Sequence, residues 1–173
     1  MFLTQKEFYK LSNQLGGGTH WKNVQDRWDY HNKAISILKK NNVNENSNIL
    51  EIGTMGVQLV HNSDVLDIQT SKWNHKGKNP TFLHDATQIP WPVTKTYDWV
   101  IAMRVLQHLP KHQKLIFNEM KRIANNILIV IPETYKKGKG ITAEEFKKIN
   151  DGIDADNVIS TKFGNLFYWT NVQ

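Results

Sequence analysis

A stretch in the first half of the chain, residues 48–67, constrains the fold more than any other. It begins with an apolar run that carries Glu51 and then breaks at Gly53 and Gly56. A second apolar pair follows and ends in Asp67. The pattern predicts a strand, a glycine turn and a second strand tipped by an acid. In a parallel sheet such a turn lets the backbone approach a ligand closely, and an acid at the next strand tip accepts hydrogen bonds from ribose hydroxyls.

The composition fits one globular domain, and we expect all 173 residues to belong to it. The chain is 39% hydrophobic and 22% charged, and single domains typically have roughly 100–200 residues. The absence of cysteine excludes disulfides, thiolate metal sites and a cysteine nucleophile. We find neither a signal peptide nor a run of about 20 apolar residues, so we expect a soluble, cytoplasmic protein without a membrane partner.

The basic balance of the chain leaves two kinds of partner open. A net charge of +6 and a pI near 9.4 are compatible with a polyanion such as nucleic acid. The lysines, however, occur as scattered pairs, which are more typical of a solvated surface. We therefore rank nucleic acid behind a small molecule.

Residues 1–47 predict a helical arm in front of the sheet. Helical spacing of apolar residues occurs over residues 2–11 and again over about 26–41, on either side of the glycines at 16–18. Aromatic residues and histidines are concentrated here. The arm forms either a mobile lid over a ligand or a packed helix pair with a flexible joint.

The core, residues 48–173, alternates strands and helices. A capping box of Thr142 and Glu145 opens the last predicted helix. Such alternation indicates a parallel sheet with helices on its faces. The predicted strands are 48–52, 64–68, 81–84, 97–103 and 127–132, and the predicted helices are 110–124 and 142–150.

The chain ends in a predicted antiparallel hairpin. Two β-rich segments, residues 158–163 and 166–172, are joined by Gly164-Asn165, a dipeptide that suits a two-residue hairpin turn. The parallel sheet is therefore expected to finish with antiparallel strands.

Four segments resemble the motifs of the class I S-adenosylmethionine-dependent methyltransferases. The resemblance covers about residues 48–133, and the motifs occur in the family's order and with its separations. It implies a Rossmann-like three-layer α/β sandwich with a mostly parallel seven-stranded sheet, order 3-2-1-4-5-7-6. The four segments are ILEIG at 49–53, VLDI at 65–68, FLHDA followed by IPWP within 82–92, and YDWVIAM followed by VLQHLP within 97–110.

The resemblance also implies which residues bind S-adenosylmethionine. Glu51 and the glycine turn would lie beside its methionine part, and Met103 would line the floor of the site. Asp67 would hold the ribose hydroxyls, whereas Asp85 and the Ala86 backbone would read the adenine edge. A diol suits a carboxylate that accepts both protons, and an exocyclic amine suits an acceptor. The implied set is Glu51, Gly53, Gly56, Asp67, Ile68, Asp85, Ala86 and Met103.

The glycine turn departs from the family pattern. Met55 and Val57 occupy positions that usually carry glycine, and Gly56 is displaced by one. Only 15 residues lie between Glu51 and Asp67, and they must contain the turn, the helix and the return strand. A complete crossover alone needs at least about 10–12 residues, so too few remain for a full helix. We therefore expect the first helix to be cut to about one turn or replaced by a loop. One face of the sheet would then be exposed unless the arm covers it.

Methyl transfer is an in-line displacement, so it needs alignment, exclusion of water and a base only if the acceptor loses a proton. The candidate bases are His20, His31 and His108, and His108 has the alternative of a partly buried structural histidine. Arg104 follows the fourth strand. It would either hold a phosphate, carboxylate or sugar oxygen of the acceptor or form a surface ion pair.

The sequence therefore predicts a methyltransferase that acts on a small molecule, such as a sugar or a surface-glycan precursor. The fourth strand lacks the Asx-Pro-Pro-aromatic motif of amino-directed DNA methylation, and without cysteine the covalent route to cytosine C5 is excluded. Two alternatives stay open, an RNA-directed methyltransferase and a binding module that keeps the fold without catalysis. No metal site is predicted, and the oligomeric state is left open.

Overall fold

The fold is a seven-stranded sheet with helices on both faces. The computed structural model describes residues 1–14, 24–68, 80–133 and 141–172. The strands are β1 (Ile49–Ile52), β2 (Asp64–Asp67), β3 (Phe82–Leu83), β4 (Tyr97–Met103), β5 (Ala124–Ile131), β6 (Asn157–Thr161) and β7 (Gly164–Trp169). The helices are α1 (Gln5–Gln14), α2 (Val24–Lys40), α3 (Gln113–Ile123) and α4 (Ala143–Ile149), with a short 3₁₀ helix at Leu106–His108.

The strand order is β3-β2-β1-β4-β5-β7-β6, which confirms the predicted order. Neighbours among β1 to β5 are parallel, and β7 is antiparallel to both β5 and β6. Ile131, at the carboxyl end of β5, pairs with Asn165 near the start of β7. The turn between β6 and β7 therefore lies at the same edge of the sheet as the carboxyl ends of the parallel strands.

Alternate residues of the central strands enter two hydrophobic cores. Val100 and Ala102 of β4 face α3 and α4, whereas Trp99 and Ile101 face the arm helices. Side chains of a strand point to opposite faces in turn, so a strand buried on both sides reads as a continuous apolar run. The apolar run of β4 therefore reflects the burial of both faces of this strand.

A loop, residues 53–63, replaces the first helix between β1 and β2, as predicted. Leu59 of this loop is buried in the core that α2 also enters. The chain start braces the loop, because Phe2 bridges to Val60 and the Leu3 amide donates to the Leu59 carbonyl at 2.8 Å. The arm helices therefore pack on the face that a conventional first helix would have covered.

The hairpin turn lies at Lys162-Phe163, so the predicted turn at Gly164-Asn165 is wrong. Gly164 belongs to β7 and pairs with Thr161 across the hairpin. A Cβ at Gly164 would lie 2.2 Å from the Ile131 carbonyl oxygen. The glycine is therefore required by the close approach of β5, not by the turn.

The helix boundaries differ slightly from those predicted. α3 begins at Gln113 rather than residue 110, and β5 follows it directly at Ala124 rather than at 127. The capping box is confirmed: the Thr142 side chain accepts from the Glu145 amide, and the Glu145 side chain accepts from the Thr142 amide. Within the described ranges, no helix is long and apolar enough to cross a membrane.

Candidate functional site

Four chain segments meet at the carboxyl edge of the parallel strands. Gly53 follows β1, Asp67 ends β2, Asp85 lies just after β3, and Arg104 follows β4. The chain passes from β1 to β2 on one side and β4 occupies the other side of β1. Crevices at such a reversal of strand order are where open α/β sheets bind ligands.

The glycine turn after β1 is held in left-handed backbone conformations. Gly53, Met55 and Gly56 have φ values of 60°, 50° and 81°. A Cβ at Gly53 would lie 2.9 Å from a γ-methyl of Val105, so both conformation and space require glycine there. Met55, which stands where the resemblance expects glycine, adopts a conformation that glycine favours and leaves its side chain 38% exposed.

Asp67 is joined to this turn. Its Oδ2 accepts a hydrogen bond from the Met55 amide at 3.3 Å. The next residue, Ile68, exposes 61% of its surface although it is apolar. The structure therefore brings the predicted glycine turn, the predicted ribose acid and an exposed apolar side chain to one place.

Asp85 lies on the neighbouring strand end. The amide and hydroxyl of Thr87 donate to its Oδ1 at 2.9 and 2.8 Å, and these bonds lower the pKa of Asp85, which favours its charged form. The His84 amide donates to the Asp67 carbonyl at 3.0 Å and ties the two strand ends together. Ala86 is buried, and its carbonyl accepts from the Trp91 indole at 3.0 Å.

Glu51 has a buried carboxylate that is bound to the loop after β1. Oε2 accepts from the Leu59 amide at 2.8 Å, and Oε1 accepts from the Val60 amide at 3.0 Å and the Ser63 hydroxyl at 2.7 Å. Burial raises the pKa of Glu51 to about 7, although all three donors oppose that shift. Glu51 therefore holds the loop in place, and its direct contact with a ligand stays a prediction.

Arg104 lies against two aromatic rings that also contact each other, with ring centroids 6.3 Å apart. Its guanidinium carbon is 5.8 Å from the ring centroid of Tyr30 on α2 and 5.1 Å from that of Phe163 in the hairpin turn. Arg104 has a φ of 60°, and its amide donates to the Val130 carbonyl at 2.9 Å. Met103, just before it, is half-buried at the end of β4.

A pocket of about 250 Å³ opens beside Arg104. Its walls come from the ends of β4 and β5 and from the β6–β7 hairpin. Glu133 lines it and accepts from the Asn165 side-chain amide at 2.5 Å. The sequence indicates Tyr30 only as one of the aromatic residues of the arm, and it does not indicate Phe163, Glu133 or Asn165, because only the fold brings these distant segments together.

The histidines occupy different environments. His31 is buried against Phe8 and Tyr30, and burial lowers its pKa to about 4, so it is a neutral structural residue and not the base considered above. His108 is exposed on the 3₁₀ helix, so the alternative of a partly buried residue is wrong. His20 lies outside the described residues.

In the comparison with known proteins, only solved structures match this chain. No protein-family model matches the chain, and no curated protein matches it. Magnesium protoporphyrin IX methyltransferase from Synechocystis PCC 6803, solved with bound SAM, is 17% identical at a TM-score of 0.61, covering 93% of this chain and 88% of that one.

Two further solved methyltransferase structures are similar to this chain in fold. A SAM-dependent methyltransferase from Aquifex aeolicus is 16% identical at a TM-score of 0.60, with coverage of 98% and 99%. The methyltransferase domain of bacterial CtHen1 is 11% identical at 0.56, covering 86% of this chain and 100% of that one. At these identities the similarity shows the fold.

Proposed function

We propose that this chain, which has the fold of the class I S-adenosylmethionine-dependent methyltransferases, transfers a methyl group from S-adenosylmethionine (SAM) to a small-molecule acceptor. The observation that carries the proposal is the meeting of the glycine turn, Asp67 and Asp85 at the strand-order reversal. A protein with this fold has been solved with SAM and with its demethylated product, S-adenosylhomocysteine (SAH).

The residues on the β2 and β3 side suit an adenosine group. Asp67 is a strand-end carboxylate beside a turn of left-handed backbone, and it can accept hydrogen bonds from both ribose hydroxyls. Asp85 favours the charged form that accepts a hydrogen bond from an exocyclic amine. Adenine packed on Ile68 would cover an apolar side chain that is 61% exposed. The Ala86 carbonyl accepts from the Trp91 indole, and the Ala86 amide could donate to the adenine edge.

The residues on the β1 and β4 side suit the methionine part of SAM. SAM would supply a sulfonium methyl group: a lone pair of the acceptor would form the new bond to the methyl carbon as the electrons of the carbon–sulfur bond return to sulfur, which leaves SAH. Gly53 and Gly56 let the backbone approach this part closely, and Glu51 shapes the same loop from beneath. Met103 would line the floor where β4 ends.

The acceptor is assigned to the pocket beside Arg104. Neighbouring strands are roughly 4.8 Å apart, so the end of β5 lies about 10 Å from the turn after β1. An acceptor there would approach the methionine end of SAM from the β5 side and would not compete with the nucleoside on the β2 and β3 side. Alignment by the pocket supplies most of the catalysis, and His108 or His20 would receive a proton if the acceptor loses one.

The test follows a labelled methyl group. Purified protein is incubated with methyl-labelled SAM and, separately, with a small-molecule fraction and with total RNA from the source cells. We expect label in the small-molecule fraction, lost in Asp67→Asn and kept in Asp64→Asn, a control at the other end of β2. Label in RNA alone would overturn the acceptor class, a result that the +6 charge would then explain. No label together with no SAH binding would indicate a module without catalysis.

A further inference from the structure

Two arginines from distant parts of the chain converge on one aromatic ring. The guanidinium carbons of Arg27 on α2 and Arg104 lie 5.8 and 5.1 Å from the centroid of the Phe163 ring. Burial raises the pKa of Tyr30, and the charges of both arginines act against that shift. Like charges brought together raise the local positive potential, which favours an anion nearby.

Two acidic side chains of α2 form ion pairs with lysines. Asp26 binds the Lys162 ammonium at 2.8 Å, and Asp29 binds that of Lys33 at 2.9 Å. The positive potential also acts on a neighbour, because the charges of Arg27 and Arg104 contribute to lowering the pKa of His31.

The pocket beside Arg104 is small and mostly polar. Its volume of about 250 Å³ is below the roughly 300–1,000 Å³ of sites for drug-sized ligands. Hydroxyl groups of Ser160 and Thr161 line it together with the Glu133 carboxylate. A hydroxyl of a ligand would therefore find acceptors in the same pocket as the arginine.

We propose that the acceptor is a small hydroxylated acid, with its carboxylate or phosphate on Arg104 and a hydroxyl toward Glu133. This inference rests on the proposed function, since it names the acceptor class of the same site. The planar guanidinium offers paired donors that match such an oxyanion, and the two aromatic rings restrict its orientation. Arg27, whose guanidinium carbon lies 5.8 Å from the Phe163 ring centroid, is a positioning residue that acts through its charge.

The test is calorimetric titration with glycerol 3-phosphate and with glycerol, each with and without saturating SAH. We expect glycerol 3-phosphate to bind and glycerol not to bind. Arg104→Gln should weaken glycerol 3-phosphate at least about tenfold, as expected for loss of a charged hydrogen bond. The affinity of Arg104→Lys for glycerol 3-phosphate should lie between those of wild type and Arg104→Gln. Arg27→Gln should weaken binding of glycerol 3-phosphate about threefold, because it removes a nearby positive charge. Lys148→Gln, which removes one positive charge on exposed α4, should change nothing.

The outcomes distinguish a failure of the acceptor class from a failure of the proposed function. Equal binding of the charged and neutral probes, or unchanged binding in both arginine variants, would overturn the acid class. If SAH binds while glycerol 3-phosphate does not, the acceptor class is wrong and the methyltransferase proposal stands. If SAH does not bind, the proposed function fails, and the titrations without SAH still show whether the pocket selects an anion.

Discussion

The carboxylate of Glu51 in β1 accepts a 2.8 Å hydrogen bond from the Leu59 amide, in the loop that replaces the first helix. The carboxyl group is buried, and burial raises its pKa from 4.5 to about 7. A short loop is thus attached to the sheet through an ionisable group placed directly beneath the candidate cofactor turn.

Glu51 should make the protein less stable as the pH rises. Between pH 4.5 and 7 the folded state holds the Glu51 proton more tightly than the unfolded chain, so its contribution is full below 4.5 and is lost as the pH rises through 7. The shift corresponds to about 3 kcal/mol of unfolding free energy. Denaturant titrations of wild type and Glu51→Gln across this range should differ in slope, and parallel curves would contradict the prediction.

His31 should act in the opposite direction. Its pKa is lowered from 6.5 to about 4, so the unfolded chain takes up a proton first as the pH falls. The folded state should lose about 3 kcal/mol between pH 6.5 and 4 from this residue. In wild type the two effects oppose each other between pH 4.5 and 6.5. His31→Leu should expose the Glu51 slope, and Glu51→Gln should expose the His31 slope; a flat curve in either variant would show that the assignment is wrong.

Gly53→Ala should destabilise the protein and weaken SAH binding. An alanine there adopts a left-handed conformation, which costs about 1–2 kcal/mol, and its Cβ also meets Val105 at 2.9 Å. Gly152→Ala is the matched control, because Gly152 has a φ of 80° but no atom within 4 Å of an added Cβ. The unfolding temperature of Gly53→Ala should be lower than that of Gly152→Ala. Adding Val105→Ala to Gly53→Ala should recover part of the difference. Equal unfolding temperatures for the two glycine variants would argue against the contact.

Gly164→Ala should be the most destabilising of the glycine substitutions. Its Cβ would lie 2.2 Å from the Ile131 carbonyl oxygen and 2.3 Å from the Pro132 Cα, both backbone atoms of the neighbouring segment. Relief requires the hairpin to move away from β5, at a cost of more than about 4 kcal/mol. Urea unfolding measures this directly, and a loss no larger than that of Gly152→Ala would refute the proposed close approach.

The fold was predictable from the sequence because its signals are local and repeat. Buried strands such as β4 read as continuous apolar runs, and the short separation of Glu51 from Asp67 excludes a full first helix. The hairpin turn was mispredicted for the opposite reason. Nothing near Gly164 in the sequence shows that Ile131 will pass 2.2 Å from its missing Cβ.

The sequence predicts the site residues that lie at the ends of individual strands, but not the contacts between segments that are distant in the chain. Asp67 and Asp85 follow apolar runs, so the fold class gives their positions. The partner contacts of Glu51 and Arg104 come from other segments: loop amides in the first case, and Tyr30 and Phe163 in the second. Such contacts depend on tertiary packing and leave no local pattern in the sequence.

The central claim is that the edge formed by the glycine turn and Asp67 binds SAM, and calorimetric titration with SAH tests it most directly. Wild type should bind SAH, Asp67→Asn should bind at least about tenfold more weakly, a loss of about 1.4 kcal/mol, and Asp64→Asn should stay within about threefold of wild type. Asp64 is a suitable control because its carboxylate binds Tyr97 and Lys95 at the other end of β2. Folded wild-type protein that binds neither SAH nor SAM, or Asp67→Asn that binds SAH as tightly as wild type, would contradict the claim.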